Sequence, residues 1–144
     1  MSDVSSGKCP DCTEVCKPIG FDVNNMNTFG HLYIMVTHEC NFKCHYCFNC
    51  AEGTQISLED SKKAIDLLVK HKPPMATELS ITFFGGEPLL GYELIKNVKA
   101  YCRSAYPNIK WIYDLTTNFS IMNQTIYEEV ILDPNFYVLI SLDG

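Results

Sequence analysis

The apolar residues of this chain fall in short dense runs, separated by stretches in which they recur three and four positions apart. HLYIMVT (31–37), LSITFF (79–84), KWIYDLTT (110–117) and FYVLISL (136–142) are β-branched and aromatic. Such runs read as strands buried on both faces, the pattern of a parallel sheet. Between the first two, Ser57 and Asp60 stand in a capping-box-like spacing, and Leu58, Ile65, Leu68 and Val69 mark one helical face until Pro73 and Pro74 stop it. Between the second and third, Leu94, Val98, Tyr101, Cys102 and Ala105 form an amphipathic stripe that Pro107 ends. A shorter helical segment around Ile126 to Ile131 is closed by Pro134.

Strands alternating with helices predict an α/β fold, a parallel βα series whose right-handed crossovers wind it into an open sheet or the beginning of a barrel. In both architectures ligands meet the carboxyl ends of the strands. Each strand here is followed or ended by an unusual cluster: ECNFKCHYC, GGEP, TTN and SLDG. The first thirty residues are polar and punctuated, so residues 1–30 are expected to be a short irregular leader and residues 31–144 the folded part.

Composition narrows the function classes. At 144 residues, 47% of them apolar and 19% charged, the chain has the make-up of one ordinary globular domain and not of a disordered or collagen-like one. The net charge of −6, with Arg103 the sole arginine and no lysine or arginine from 121 to 144, argues against a nucleic-acid partner. No run approaches the roughly 18 apolar residues of a membrane span, and the N-terminus lacks a signal-peptide pattern, so no membrane partner and a cytoplasmic location are expected. Eight cysteines among 144 residues fall below the roughly 8–10% of a disulfide scaffold, and clustered thiols in a reducing compartment point to metal or redox chemistry.

Cys40, Cys44 and Cys47 form a CxxxCxxC set immediately after the first strand. Three thiolates so placed can hold three irons of a [4Fe–4S] cube and leave the fourth open to a ligand. Cys44, Cys47 and Cys50 also match a ferredoxin register, in which no iron is left open, but that register breaks at Thr54 and Gln55. A zinc site on Cys44 and Cys47 with Cys40, His45 or Cys50 is the simpler reading of the loop taken alone. Gly85 and Gly86 alone would make a tight turn with Pro88 at a first helical position, Thr116, Thr117 and Asn118 would cap a turn, and Ser141 would satisfy its own backbone. Cys9, Cys12 and Cys16 supply three thiolates where a closed zinc site needs four ligands, so zinc, an auxiliary cluster and a reduced leader stay open, with Cys50 a candidate fourth ligand. Cys102 belongs to an apolar stripe, and it and His31, His38 and His71 receive no role.

The cysteine loop, with Tyr46 before its last cysteine, followed in order by GGEP (85–88), TTN (116–118) and ISLDG (140–144), resembles the radical S-adenosylmethionine (SAM) enzymes over residues of about 31 to 144. The resemblance implies the first half of a partial (β/α)6 TIM-like barrel. It implies a [4Fe–4S] cluster on Cys40, Cys44 and Cys47 that cleaves SAM reductively to a 5′-deoxyadenosyl radical, with an electron donor such as flavodoxin or ferredoxin. It further implies that Gly85 and Gly86 let the backbone approach the methionyl ammonium with help from Glu87, that Thr117, Asn118 and Ser141 face the ribose and carboxylate, and that Tyr46 packs near adenine. No catalytic side chain is assigned. The nearest branch resembles the SPASM-type maturases, which implies a peptide or protein substrate; a non-catalytic iron–sulfur or zinc module for electron transfer or partner binding is the alternative. With four strands and three helices against six βα units, the chain is expected to be the N-terminal part of a longer enzyme that does not turn over alone.

Overall fold

The structure, a computed structural model, describes residues 30–47, 49 and 53–142. The expected leader up to residue 29, with Cys9, Cys12 and Cys16, and also Cys50, lies outside the described residues. β1 (His31–Thr37), β2 (Glu78–Gly85), β3 (Lys110–Thr117) and β4 (Phe136–Ile140) form one sheet, every pair parallel, in the order β1-β2-β3-β4. The crossovers are α1 (Leu58–Lys70), then a 3-10 turn (Pro88–Gly91) leading into α2 (Tyr92–Ala105), then α3 (Gln124–Ile126) running on into a π-helical turn (Tyr127–Ile131). Neighbours in sequence are neighbours in space, and the three crossovers pack on one face. That is the wall of a barrel and not a doubly wound sheet.

Local chemistry sets the element bounds. Ser57 caps α1, its hydroxyl accepting from the Asp60 N–H at 3.0 Å and donating to the Asp60 carboxylate at 2.7 Å. Ile65 and Leu68 of α1, Leu94, Ile95, Val98 and Cys102 of α2, and Ile126 and Val130 of the third crossover bury against one side of the sheet. That side presents Ile34, Val36, Leu79, Ile81, Phe83, Trp111, Tyr113, Leu115 and Phe136. Burial of each such side chain is worth about 1.5–3 kcal/mol, and Phe83, Tyr113 and Phe136 add ring contacts at centroid distances of 5.5 to 6.3 Å. On the other face, Tyr33, Thr82, Asp114, Thr116, Tyr137 and Leu139 line an open hollow.

Two details depart from expectation. β4 ends at Ile140, two residues before the apolar run does. The third crossover is only half α-helical: Leu132 N–H donates to the Tyr127 carbonyl at 3.1 Å, an i to i+5 bond, while the Lys99 ammonium donates to the Glu129 carbonyl at 2.8 Å. Among the described residues, no helix is long and apolar enough to cross a membrane.

Candidate functional site

The cysteine loop is hung on a closed base. Ile56 N–H donates to the Val36 carbonyl at 3.2 Å and His38 N–H to the Thr54 carbonyl at 2.9 Å, with Thr37 and Gln55 bridged antiparallel. The chain that leaves β1 therefore returns along its edge, and the cysteines lie on the excursion between. Inside it, Cys47 N–H donates to the Cys44 carbonyl at 3.0 Å, and the Asn49 amide donates to the His38 carbonyl at 2.8 Å. Cys40 and Cys47 are exposed and Cys44 half-buried, all three as free thiols. The Cys40 sulfur accepts from Phe42 N–H at 3.4 Å and lies 3.8 Å from the Asn118 amide nitrogen.

The end of β2 is locked to the start of this loop. Gly86 N–H donates to the Thr37 carbonyl and Glu87 N–H to the Glu39 carbonyl, both at 2.8 Å. A Cβ at Gly85 would lie 2.2 Å from the Thr37 carbonyl oxygen, and one at Gly86 would lie 2.2 Å from that of Glu39. Those are backbone atoms that cannot swing aside, and Gly85 also has φ +152°. Pro88 then opens the 3-10 turn, with Glu87 as its N-cap.

Glu87 joins this junction to β3. Its Oε1 accepts from Leu89 N–H at 3.0 Å and from the Thr117 hydroxyl at 2.7 Å, and its Oε2 accepts from Asn118 N–H at 2.8 Å. Glu87 has 0% and Thr117 2% exposure. A fully buried carboxylate is tolerable only because three donors satisfy it. The structure thus gives these two side chains a part that the resemblance does not: they hold the ends of β2 and β3 together on the helix-covered side. Thr117 shares the parity of Trp111, Tyr113 and Leu115, so Thr116 is the residue on the open face. Tyr46 is exposed in a turn of the cysteine loop, edge-on to His45 at 5.4 Å. Ser141 N–H donates to the Thr117 carbonyl at 2.9 Å, carrying the ladder one residue past β4.

Two residues that the motifs do not mark complete the site. Asn118 Nδ2 donates to Asn41 Oδ1 at 3.0 Å, and Asn41 Nδ2 donates to the Ser120 hydroxyl at 2.7 Å. Asn118 Oδ1 accepts from Ser120 N–H at 3.0 Å and from its hydroxyl at 2.6 Å. Phe119 between them has φ +58°, a conformation that bulky residues rarely adopt, and it turns the chain so that Ser120 reaches back over Asn118. The only signal in the sequence for Asn41 and Ser120 is position: the first directly follows Cys40, and the second lies two residues after Asn118.

Among the described residues, no three His, Cys, Asp or Glu side chains converge on a metal-sized point. The donor chemistry of the loop nevertheless fits an iron–sulfur cluster: three free thiols on one backbone excursion, one with an N–H already directed at its sulfur. Cys102 is different, since burial pushes its thiol up to about 12 and leaves it an inert core residue.

The family described as 4Fe-4S single cluster domain matches residues 26–142. Over 115 residues the chain is 36% identical to an uncharacterized protein of Methanocaldococcus jannaschii, covering 79% of this chain and 38% of that protein. Over 131 residues it is 27% identical to the radical SAM cyclopropyl synthase TigE of Paramaledivibacter caminithermalis, covering 78% of this chain and 27% of that enzyme. Among solved structures, the fold matches anSMEcpe with bound AdoMet and the Cp18Cys peptide, with TM-score 0.67 and 25% identity over 78% of this chain and 31% of that one. A histidine-tagged form of anSMEcpe with bound AdoMet matches with the same TM-score and identity over 79% and 32%. The chain therefore spans about a third of the length of these relatives.

Proposed function

The chain belongs to the 4Fe-4S single cluster domain family, among the radical SAM proteins, and from that premise we propose that Cys40, Cys44 and Cys47 hold a [4Fe–4S] cluster and that SAM binds beside it at the strand ends. The observation that carries the reading is the cysteine loop, three free thiols whose first member is fastened through Glu39 and Asn118 to the GGEP and TTN strand ends. When bound, such a cluster supplies the electron for reductive cleavage of SAM to a 5′-deoxyadenosyl radical. The protein's part is to bind, orient and shield. Gly85 and Gly86 bring bare backbone to the mouth of the sheet, where the methionyl ammonium would meet it, and Glu87 fixes that backbone from behind. Asn118, Ser141 and Thr116, the threonine of the TTN end that lies on the open face, line the next two strand ends and are proposed to face the ribose and carboxylate, with Thr117 bracing them from the covered side and Tyr46 near adenine.

A peptide or protein is the proposed substrate, by analogy with the peptide in the anSMEcpe structure, and a flavodoxin or ferredoxin is the proposed electron source. Anaerobic reconstitution with iron and sulfide analysis tests the ligand set. Cys40→Ala, Cys44→Ala and Cys47→Ala should each lose the cluster and Cys50→Ala should keep it, and SAM should change the electron paramagnetic resonance signal of the reduced wild type. Loss in Cys50→Ala with retention in Cys40→Ala, or a signal indifferent to SAM, would instead favour an electron-transfer or zinc module. Metal analysis of Cys9→Ala assigns the leader: loss of zinc, loss of iron and no change correspond to structural zinc, an auxiliary cluster and a reduced leader.

A further inference from the structure

The side chain of Asn118 has a fixed orientation. Ser120 N–H is a donor only, so the Asn118 atom facing it at 3.0 Å must be the amide oxygen, and the NH2 group is thereby turned towards the cysteine loop. One of its hydrogens is taken by Asn41 Oδ1 at 3.0 Å. The Cys40 sulfur, 3.8 Å away, is the acceptor within reach of the other. Asn41 cannot easily turn away, because its own NH2 is engaged by the Ser120 hydroxyl at 2.7 Å. Cys40 thus has two N–H donors, one from the backbone at Phe42 and one from a side chain 78 residues later in the sequence.

From this geometry we infer that Asn118 is a positioning residue for the cluster, which directs a side-chain N–H at the Cys40 sulfur and raises the reduction potential of the iron centre. The inference rests on the cluster reading proposed above. Its physical basis is general: hydrogen bonds to ligand sulfurs withdraw charge from the cluster and favour its more negative, reduced state. Asn41 and Ser120 act through Asn118 by holding its amide the right way round. The backbone N–H of Asn118, bonded to Glu87 Oε2 at 2.8 Å, is not altered by changing the side chain, so the strand junction survives substitution.

The test is a redox titration of the reconstituted 144-residue chain, followed by electron paramagnetic resonance without SAM, so that no cofactor contact enters the result. Asn118→Leu removes the donor at similar size, and Asn118→Asp replaces it with an acceptor. Both should keep wild-type iron and sulfide yet have a lower midpoint potential, with the reduction equilibrium less favourable by up to about tenfold, or 59 mV for one electron. An unchanged potential in loaded variants overturns the inference and leaves the cluster reading intact. Loss of the cluster from both variants while the wild type is loaded also overturns it, because a tuning bond is not needed for assembly. A wild type that takes up no cluster overturns both.

Discussion

The Glu87 side chain decides how the ends of β2 and β3 meet. Its carboxylate satisfies Leu89 N–H, the Thr117 hydroxyl and Asn118 N–H with no surface exposed. Truncation to Ala leaves those donors buried and unpaired, at about 1–3 kcal/mol for each that water cannot reach. Glu87→Ala should therefore lower stability in urea by about 3 kcal/mol, and Glu87→Gln by less, since its amide keeps one acceptor oxygen but turns an NH2 towards a donor. A Glu87→Ala chain within about 0.5 kcal/mol of wild type would refute the junction. The motif made Glu87 visible in the sequence, but not its task, because the same carboxylate could face a cation or tie two strands. The parity of β3 was legible: Trp111, Tyr113 and Leu115 alternate with a face bearing Asp114, which places Thr117 on the covered side. The Asn41 to Ser120 contact was not, since it joins residues 79 apart with no motif between them.

At the scale of elements, the third crossover shows why its helix is irregular. Lys99 of α2 reaches beneath it, donating to the Glu129 carbonyl at 2.8 Å and to Asp133 Oδ2 at 2.9 Å, above the rings of Phe136 and Tyr113. Tyr92 donates to the Glu129 carboxylate on the same turn. A carbonyl drawn out by an ammonium is one that a π turn can release from its helical partner. The spacing of Ile126, Val130 and Ile131 fits an α or a π turn equally, and a lysine beside an apolar stripe reads as a solvated residue, so neither feature could be read from the sequence.

The Lys99 and Asp133 side chains are only 11% and 9% exposed. Burial, the largest single influence on Asp133, would raise its carboxyl, yet the bonds from Lys99 and Asn135 together hold it below its ordinary value. A depressed folded-state value means that the unfolded chain binds the proton more readily. The pair's stability is therefore present above the unfolded carboxyl value of about 3.9 and is lost as pH falls through the lower folded one. Asp133→Asn should cost about 3 kcal/mol at pH 7, where it leaves Lys99 buried without a counter-charge. The gap should narrow as urea titrations move from pH 5 towards pH 3; a constant gap would show that the pair is not the cause.

Over the whole molecule, helices on one face and strands in sequential order make the sheet a segment of barrel wall, and its two edges are treated differently. Beside β1, residues 54 to 56 cover the carboxyl end of the edge through Ile56 N–H and the Thr37 to Gln55 bridge, so the return limb of the cysteine loop also protects that end of the sheet. Among the described residues, β4 is the other edge. Tyr137 and Leu139 are 61% and 66% exposed, on the same face as Tyr33 at 67%, and β4 carries no charge or proline to discourage pairing with another chain. An apolar, unblunted edge beside an exposed aromatic face favours association between copies. The 144-residue chain should accordingly elute from size exclusion with an apparent mass that rises with loading. The paired substitutions Tyr137→Lys and Leu139→Lys should return it to monomer: in the register of β3 and β4, position 137 lies opposite Asp114, so one new lysine gains a cross-strand partner. Neither side chain belongs to the helix-side core, so the urea midpoint should stay within about 0.5 kcal/mol of wild type. Association that persists in the double variant would move the contact away from β4, and a wild type monomeric at every loading would show that the open face does not drive assembly.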